Sequence, residues 1–223
     1  MENIEGGDWL NLCQTTAKPV NREDIIFETM ENSKLAEKHI IICGMVENIW
    51  HFVMPLRADH CVEPSPIVIL HDELPSAKQW QQLSYFSQIY FVQGSPLLEK
   101  SYERANISQA KQVVILTPNI GLKDQKKEKE SSKSGDSEGQ PDDMDSKDSE
   151  NLLDAKTIFK YNIIKKKNPK VNVVTELINQ ENIAFLLDNP LLYHFMRQFD
   201  YDQTPVFASG EVYLSSLMDC LVC

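Results

Sequence analysis

The stretch from Lys38 to Asn119 reads strand, turn and helix three times over and closes on a fourth strand. That alternation restricts the chain more than any other feature. His39-Ile40-Ile41-Ile42-Cys43 is a continuous apolar run ended by Gly44; Ile67–Leu70, Ile89–Val92 and Val113–Leu116 are three more. Runs of this length without polar alternation belong to strands buried on both faces. Between them, Val46, Ile49, Trp50 and Val53 fall at i, i+3, i+4 and i+7, one face of an amphipathic helix, which Pro55 ends or kinks. Ser76-Ala77-Lys78-Gln79 matches a capping box, with Trp80 and Leu83 facing inward. Gly94-Ser95-Pro96 reads as hinge, N-cap and first helical residue, with Leu98, Tyr102 and Ala105 as the inner face.

Repeated strand–helix units imply right-handed crossovers and a parallel sheet with helices on both sides. The fold class expected is therefore α/β: a Rossmann-like, doubly wound sheet in the order 3-2-1-4-5-6, counted from the His39–Cys43 strand. Its first turn is Gly44-Met45-Val46-Glu47-Asn48-Ile49. A dinucleotide turn needs a second glycine for approach of the pyrophosphate and a third for packing the helix on the strand. Val46 and Ile49 stand at those places. The turn suits a fold without redox catalysis, and the chain is expected not to be an enzyme.

Further along, Leu152, Ala155, Phe159 and Ile163 predict a helix face, ended by Lys165-Lys166-Lys167 and Asn168-Pro169. Val171–Val174 predicts a fifth strand, running into Thr175-Glu176-Leu177. Short helices are expected around Ile183–Leu187 and Leu191–Phe199. Pro205-Val206-Phe207 predicts the sixth strand, and Val212 to Cys223 a last helix without a cap. Residues 1–36 read as an N-terminal arm or linker, whose apolar pieces Trp9-Leu10 and Ile25-Ile26-Phe27 dock on the domain or on a neighbour. The domain itself runs 37–223 and is expected to be truncated before any C-terminal lobe. It is interrupted at 121–150: from Lys123 to Glu150 there are six Lys against ten Asp or Glu and no aromatic residue, too little apolar surface to offset ordering entropy.

With 42% hydrophobic residues in 223, the chain can build one sizeable core. A net charge of −11 and a pI near 4.9 argue against non-specific binding to nucleic acid or anionic membrane. No window holds the roughly 18–20 consecutive apolar residues of a spanning helix, and the start shows no secretory signal. Five cysteines, an odd number, favour reduced thiols in the cytosol.

Specific chemistry is sparse. The five histidines show no metal-ligand spacing, and Cys220-x-x-Cys223 lies inside a predicted helix, where thiols are not activated. Asp72 and Glu73 follow the second strand, where a ribose or another ligand would be gripped; they are the candidate ligand residues, or else cap the loop. Asp188, Asp200 and Asp202 precede the expected sixth strand and are the candidate metal ligands, as a modest cation site or as plain surface acids. No cofactor is firmly implied.

Val53-Met54-Pro55-Leu56-Arg57-Ala58, Gln93-Gly94-Ser95-Pro96-Leu97, Thr175-Glu176-Leu177 and Phe207-Ala208-Ser209-Gly210 together resemble the RCK (regulator of K+ conductance) domain of calcium-activated, BK or Slo-type potassium channels. The second of the two tandem domains is the closer match, over roughly 38–223. The resemblance implies a gating-ring domain that couples ligand binding to pore opening. Its implied partners are other RCK domains in a homotetrameric ring and a potassium-channel pore. It implies a place on the cytoplasmic side of a membrane, with this chain soluble by itself. It also raises Ca2+ as ligand, although the Asp-rich calcium bowl is absent: Leu187-Asp188-Asn189-Pro190 and Asp200-Tyr201-Asp202 stand in that region. Two alternatives remain: a TrkA-like nucleotide-sensing subunit of a potassium transporter, and a nicotinamide-dependent reductase.

Overall fold

The computed structural model describes residues 13, 15–16, 18–30, 38–46, 48–117, 144–187 and 201–215, with only the backbone course given for 144–149. Two compact units emerge: Met1–Leu116 with Phe159–Thr175, and Thr117–Ile158 with Glu176–Cys223.

In the first unit the chain forms β1 (Ile26–Phe27), β2 (Ile40–Cys43), α1 (Ile49–Val53), β3 (Ile67–His71), α2 (Ala77–Leu83), β4 (Ile89–Gln93), α3 (Glu99–Arg104) and β5 (Gln112–Ile115). A long helix, α4 (Met144–Lys167), precedes β6 (Asn172–Leu177). The strands lie in the order β1-β4-β3-β2-β5-β6 and the described pairings between them are parallel; two isolated bridges, Cys13 with Ala58 and Thr15 with Phe86, are antiparallel. Relative to β2, the expected 3-2-1-4-5 arrangement is present. Outside it lies an added edge strand: Ile26 and Phe27 pair with Phe91 and Val92.

All four residues of β2 are buried. Ile40 and Ile42 pack with Ile49, Val53, Ile67, Ile69, Leu83 and Phe91 in one cluster, and by strand alternation Ile41 and Cys43 face the other side. The capping box at α2 is complete: Gln79 N donates to Ser76 Oγ at 3.3 Å, and Ser76 N donates to Gln79 Oε1 at 2.9 Å. Pro55 converts the end of α1 into a 3-10 turn, Met54–Arg57. Arg57 is wholly buried, and its guanidinium donates to the carbonyls of Ser87, Leu56, Ser65 and Gln88. That single side chain ties its own 3-10 turn to the two loops from which β3 and β4 start.

Two expectations for helices fail in informative ways. α3 begins at Glu99 rather than beside Pro96; Ser95–Leu98 forms a turn closed by Leu98 N donating to the Ser95 carbonyl. Leu98 is therefore exposed, while Tyr102 and Ala105 are buried as expected. On α4, Leu152, Ala155 and Phe159 point to solvent, and the buried residues are Asp154, Thr157, Tyr161 and Ile164, with Ile163 beside them. The helix turns that face inward because Asp154 meets the backbone N–H groups of Ile178 and Asn179 there. α4 also begins at Met144, six residues before the expected end of the insertion at 121–150; residues 118–143 lie outside the described residues.

In the second unit, a 3-10 helix (Gln180–Leu186) stands near the expected short helix. Pro205–Ala208 is a helix, α5, and not the predicted sixth strand. Proline supplies no N–H for a ladder but suits the first helical position, and Thr204 sits at the N-cap. The strand at this place is β7, Val212–Leu214, next to β6 in the sheet order, where a helix was expected. Gly210 makes the turn between α5 and β7 at φ +74°. Ser215 Oγ donates to Glu176 Oε1 at 2.7 Å. The expected helix at Leu191–Phe199, and 216–223, lie outside the described residues.

Candidate functional site

In a doubly wound sheet, ligands bind outside the carboxyl ends of the strands, and the first turn decides whether phosphate can be held. Here Gly44 adopts φ +111°, and a Cβ on it would lie 2.7 Å from the Leu116 carbonyl oxygen. One glycine is thus required, for the turn itself. Beyond Gly44 the bend is closed. Ile49 is fully buried against the sheet, and the Val46 carbonyl accepts from Gln79 Nε2 at 3.2 Å. α1 is five residues long and its Asn48 N-cap makes no side-chain capping bond. The residues present do not fit a dinucleotide.

Beneath this turn the chemistry is inert. Burial pushes the Cys43 thiol up to about 12, so it stays protonated. Tyr102, packed at the same place, donates its hydroxyl to the Pro96 carbonyl at 2.6 Å, and burial raises its pKa as well.

Asp72 and Glu73 stand exposed just beyond β3. The Asp72 carbonyl accepts from Gln93 Nε2 at 3.1 Å. His71, half-buried before them, has its pKa lowered chiefly by burial, against the opposing pull of Asp72 and Glu73. The loop presents two exposed carboxylates at the carboxyl edge of the sheet.

Of the candidate metal ligands, Asp202 lies exposed on a 3-10 turn, Tyr201–Gln203; Asp188 and Asp200 lie outside the described residues. Among the described residues, no three His, Cys, Asp or Glu side chains group to hold a metal ion.

The strongest polar cluster escaped sequence reasoning. In the second unit, Asp154 is buried on α4, and its carboxylate accepts from Ile178 N (2.9 Å), Asn179 N (2.9 Å) and Asn182 Nδ2 (2.8 Å). Asn179 Nδ2 donates in turn to Asn151 Oδ1 at 2.9 Å. A cleft of about 490 Å³ opens beside them, lined by polar residues including Glu150, Gln180 and Glu181. Asp154 thereby fixes the turn after Thr175-Glu176-Leu177. The available signal was an acid at i, i+3, i+7 and i+10 with Thr157, Tyr161 and Ile164.

Residues 35–175 match the family described as the calcium-activated potassium channel slowpoke-like RCK domain. The chain is 26% identical to potassium channel subfamily U member 1 of Macaca fascicularis over 92% of its own length, and 25% identical to that of Homo sapiens, also over 92%. It spans 19% of the length of each of these relatives. The structure of the human SLO3 gating ring matches with a TM-score of 0.66 at 21% identity, over 96% of this chain and 35% of that one; this likeness shows the fold. Among the described residues, no helix is long and apolar enough to cross a membrane. The match covers well over half the chain, including the closed first turn, and the chain belongs to the slowpoke-like RCK domain family of calcium-activated potassium channels.

Proposed function

We propose that this domain is a regulatory unit in the gating ring of a calcium-activated potassium channel, on the cytoplasmic side of the membrane. The observation that carries the reading is a first turn without the coenzyme glycines in a chain of this family: Val46 and Ile49 stand at the places of the second and third, and Ile49 is buried against the sheet. A doubly wound scaffold without a coenzyme cradle can still change shape on binding a ligand. It then does work by differential affinity between two states, and catalyses nothing.

The partners in this reading are other RCK domains, in a fourfold ring, and the pore whose linkers the ring moves. Asp72 and Glu73 are the ligand-facing carboxylates. Asp188, Asp200 and Asp202 would contribute oxygen to a calcium ion only if the 188–200 segment brings them together. Recording from a full-length channel that carries this domain tests the reading. Deleting residues 38–215 should abolish the ligand-dependent shift in opening, and an unchanged response would overturn it.

A further inference from the structure

Four hydrogen bonds string together segments of the first unit that are far apart in sequence. Gln93, the last residue of β4, donates from Nε2 to the Asp72 carbonyl at 3.1 Å. Arg104 Nη2 donates to the Gln93 carbonyl at 2.7 Å, and Arg104 Nε donates to the Glu28 carbonyl at 2.6 Å. Met30 N returns a bond to the Arg104 carbonyl at 2.8 Å. Arg104 is thus the fastening of residues 28–30 as they leave β1, and it also holds the end of β4.

The local sequence is suited to this. A Cβ on Gly94 would stand 3.2 Å from Arg104 Nη1 and 2.9 Å from Ser101 Oγ, so the absence of a side chain lets the guanidinium lie against the strand end. A planar guanidinium spans two carbonyls with fixed geometry, which an ammonium does not. Elsewhere the segment before β2 is fastened independently: Ile25 and Met30 are buried, and Thr16 N and Val20 N donate to the Tyr85 and Ser84 carbonyls. Losing Arg104 would therefore loosen part of the segment without releasing all of it.

We infer that Gln93 and Arg104 form a relay coupling the segment at Glu28–Met30 to the Asp72-Glu73 loop. Ordering that loop at the carboxyl edge of the sheet tightens the hold on the segment before β2, and tension on the segment loosens the loop. The coupling is reciprocal by thermodynamic necessity. It is a property of this unit and stands independently of the channel reading.

Amide hydrogen exchange on the full chain tests it, using Arg104→Ala, Gln93→Ala and the double variant. Each single variant should speed exchange about tenfold in peptides covering both 26–30 and 71–75. Peptides covering 40–43 and 113–115 should be unchanged. The double variant should loosen each segment by less than the product of the single effects, the signature of one shared network. Loosening confined to 26–30 in Arg104→Ala and to 71–75 in Gln93→Ala would overturn the relay. So would fully independent effects, or faster exchange at 40–43 and 113–115 as well, which would make both residues supports of the whole sheet.

Discussion

Gln79 and Val46 are joined across 33 positions: the Gln79 amide donates to the Val46 carbonyl at 3.2 Å while its oxygen accepts from Ser76 N at 2.9 Å. One side chain thus caps α2 and closes the turn after β2. In a nucleotide-binding fold the N–H groups of that turn would face phosphate; here Gln79 pins the turn through its carbonyl, and Val46 and Ile49 stand at the places of the second and third glycines.

Replacing Gln79 with Ala removes both bonds. A stability loss of about 1–2 kcal/mol is expected from the lost cap and the freed carbonyl. Urea unfolding measures it through the midpoint, with the slope unchanged.

Arg57 predicts a larger loss. It donates to four backbone carbonyls from a fully buried position, with no carboxylate among those partners. Arg57→Ala strands those carbonyls and should cost about 3–5 kcal/mol. Arg57→Lys should recover little, because an ammonium cannot reproduce the fork. Both are read by urea midpoint.

Much of this was legible in the sequence. β2 to β5 announced themselves because a strand buried on both faces needs no alternation to be recognised, and Ser76–Gln79 because a capping box is local chemistry. What failed depended on partners distant in the chain. On α4, counting apolar residues selected Leu152, Ala155 and Phe159, whereas the buried face begins at Asp154, whose partners lie 24 to 28 positions away. Hydrophobicity alone cannot mark a buried carboxylate as inward-facing. At Pro205–Phe207 three residues were too few to separate strand from helix, and Thr204-Pro205 was the better signal. Asp72 and Glu73 stand just past the end of β3, a position that follows from recognising the strand itself.

Asp154→Asn tests the buried carboxylate. An amide keeps one acceptor but turns an NH2 toward a backbone N–H or toward Asn182 Nδ2. A loss of about 1–3 kcal/mol is expected, with faster amide exchange at 178–182 as the local readout.

The buried imidazole of His39 sets a pH dependence. Its partner is the Ala105 carbonyl, 3.0 Å from Nε2; a carbonyl only accepts, so the proton of the neutral ring sits on Nε2. Nδ1 is buried without a hydrogen-bond partner. Burial lowers the pKa from its ordinary 6.5, with the Ala105 bond opposing, and His71 shifts in the same direction. A depressed histidine binds its proton more readily unfolded than folded. Its stabilising effect is thus fully present above about 6.5 and is lost as pH falls below that value. Each such proton steepens the fall by at most about 1.4 kcal/mol per pH unit. Urea midpoints between pH 7.5 and 5 should decline, and His39→Gln should flatten the decline relative to the parent chain.

The central claim is that side chains occupy the bend where a coenzyme would rest. Titrating the folded chain with NADH, followed by nicotinamide fluorescence and calorimetry up to millimolar cofactor, tests it most directly. The account predicts no saturable signal in either. Saturable binding that weakens when Val46 or Ile49 is enlarged would place the dinucleotide in that bend and contradict it.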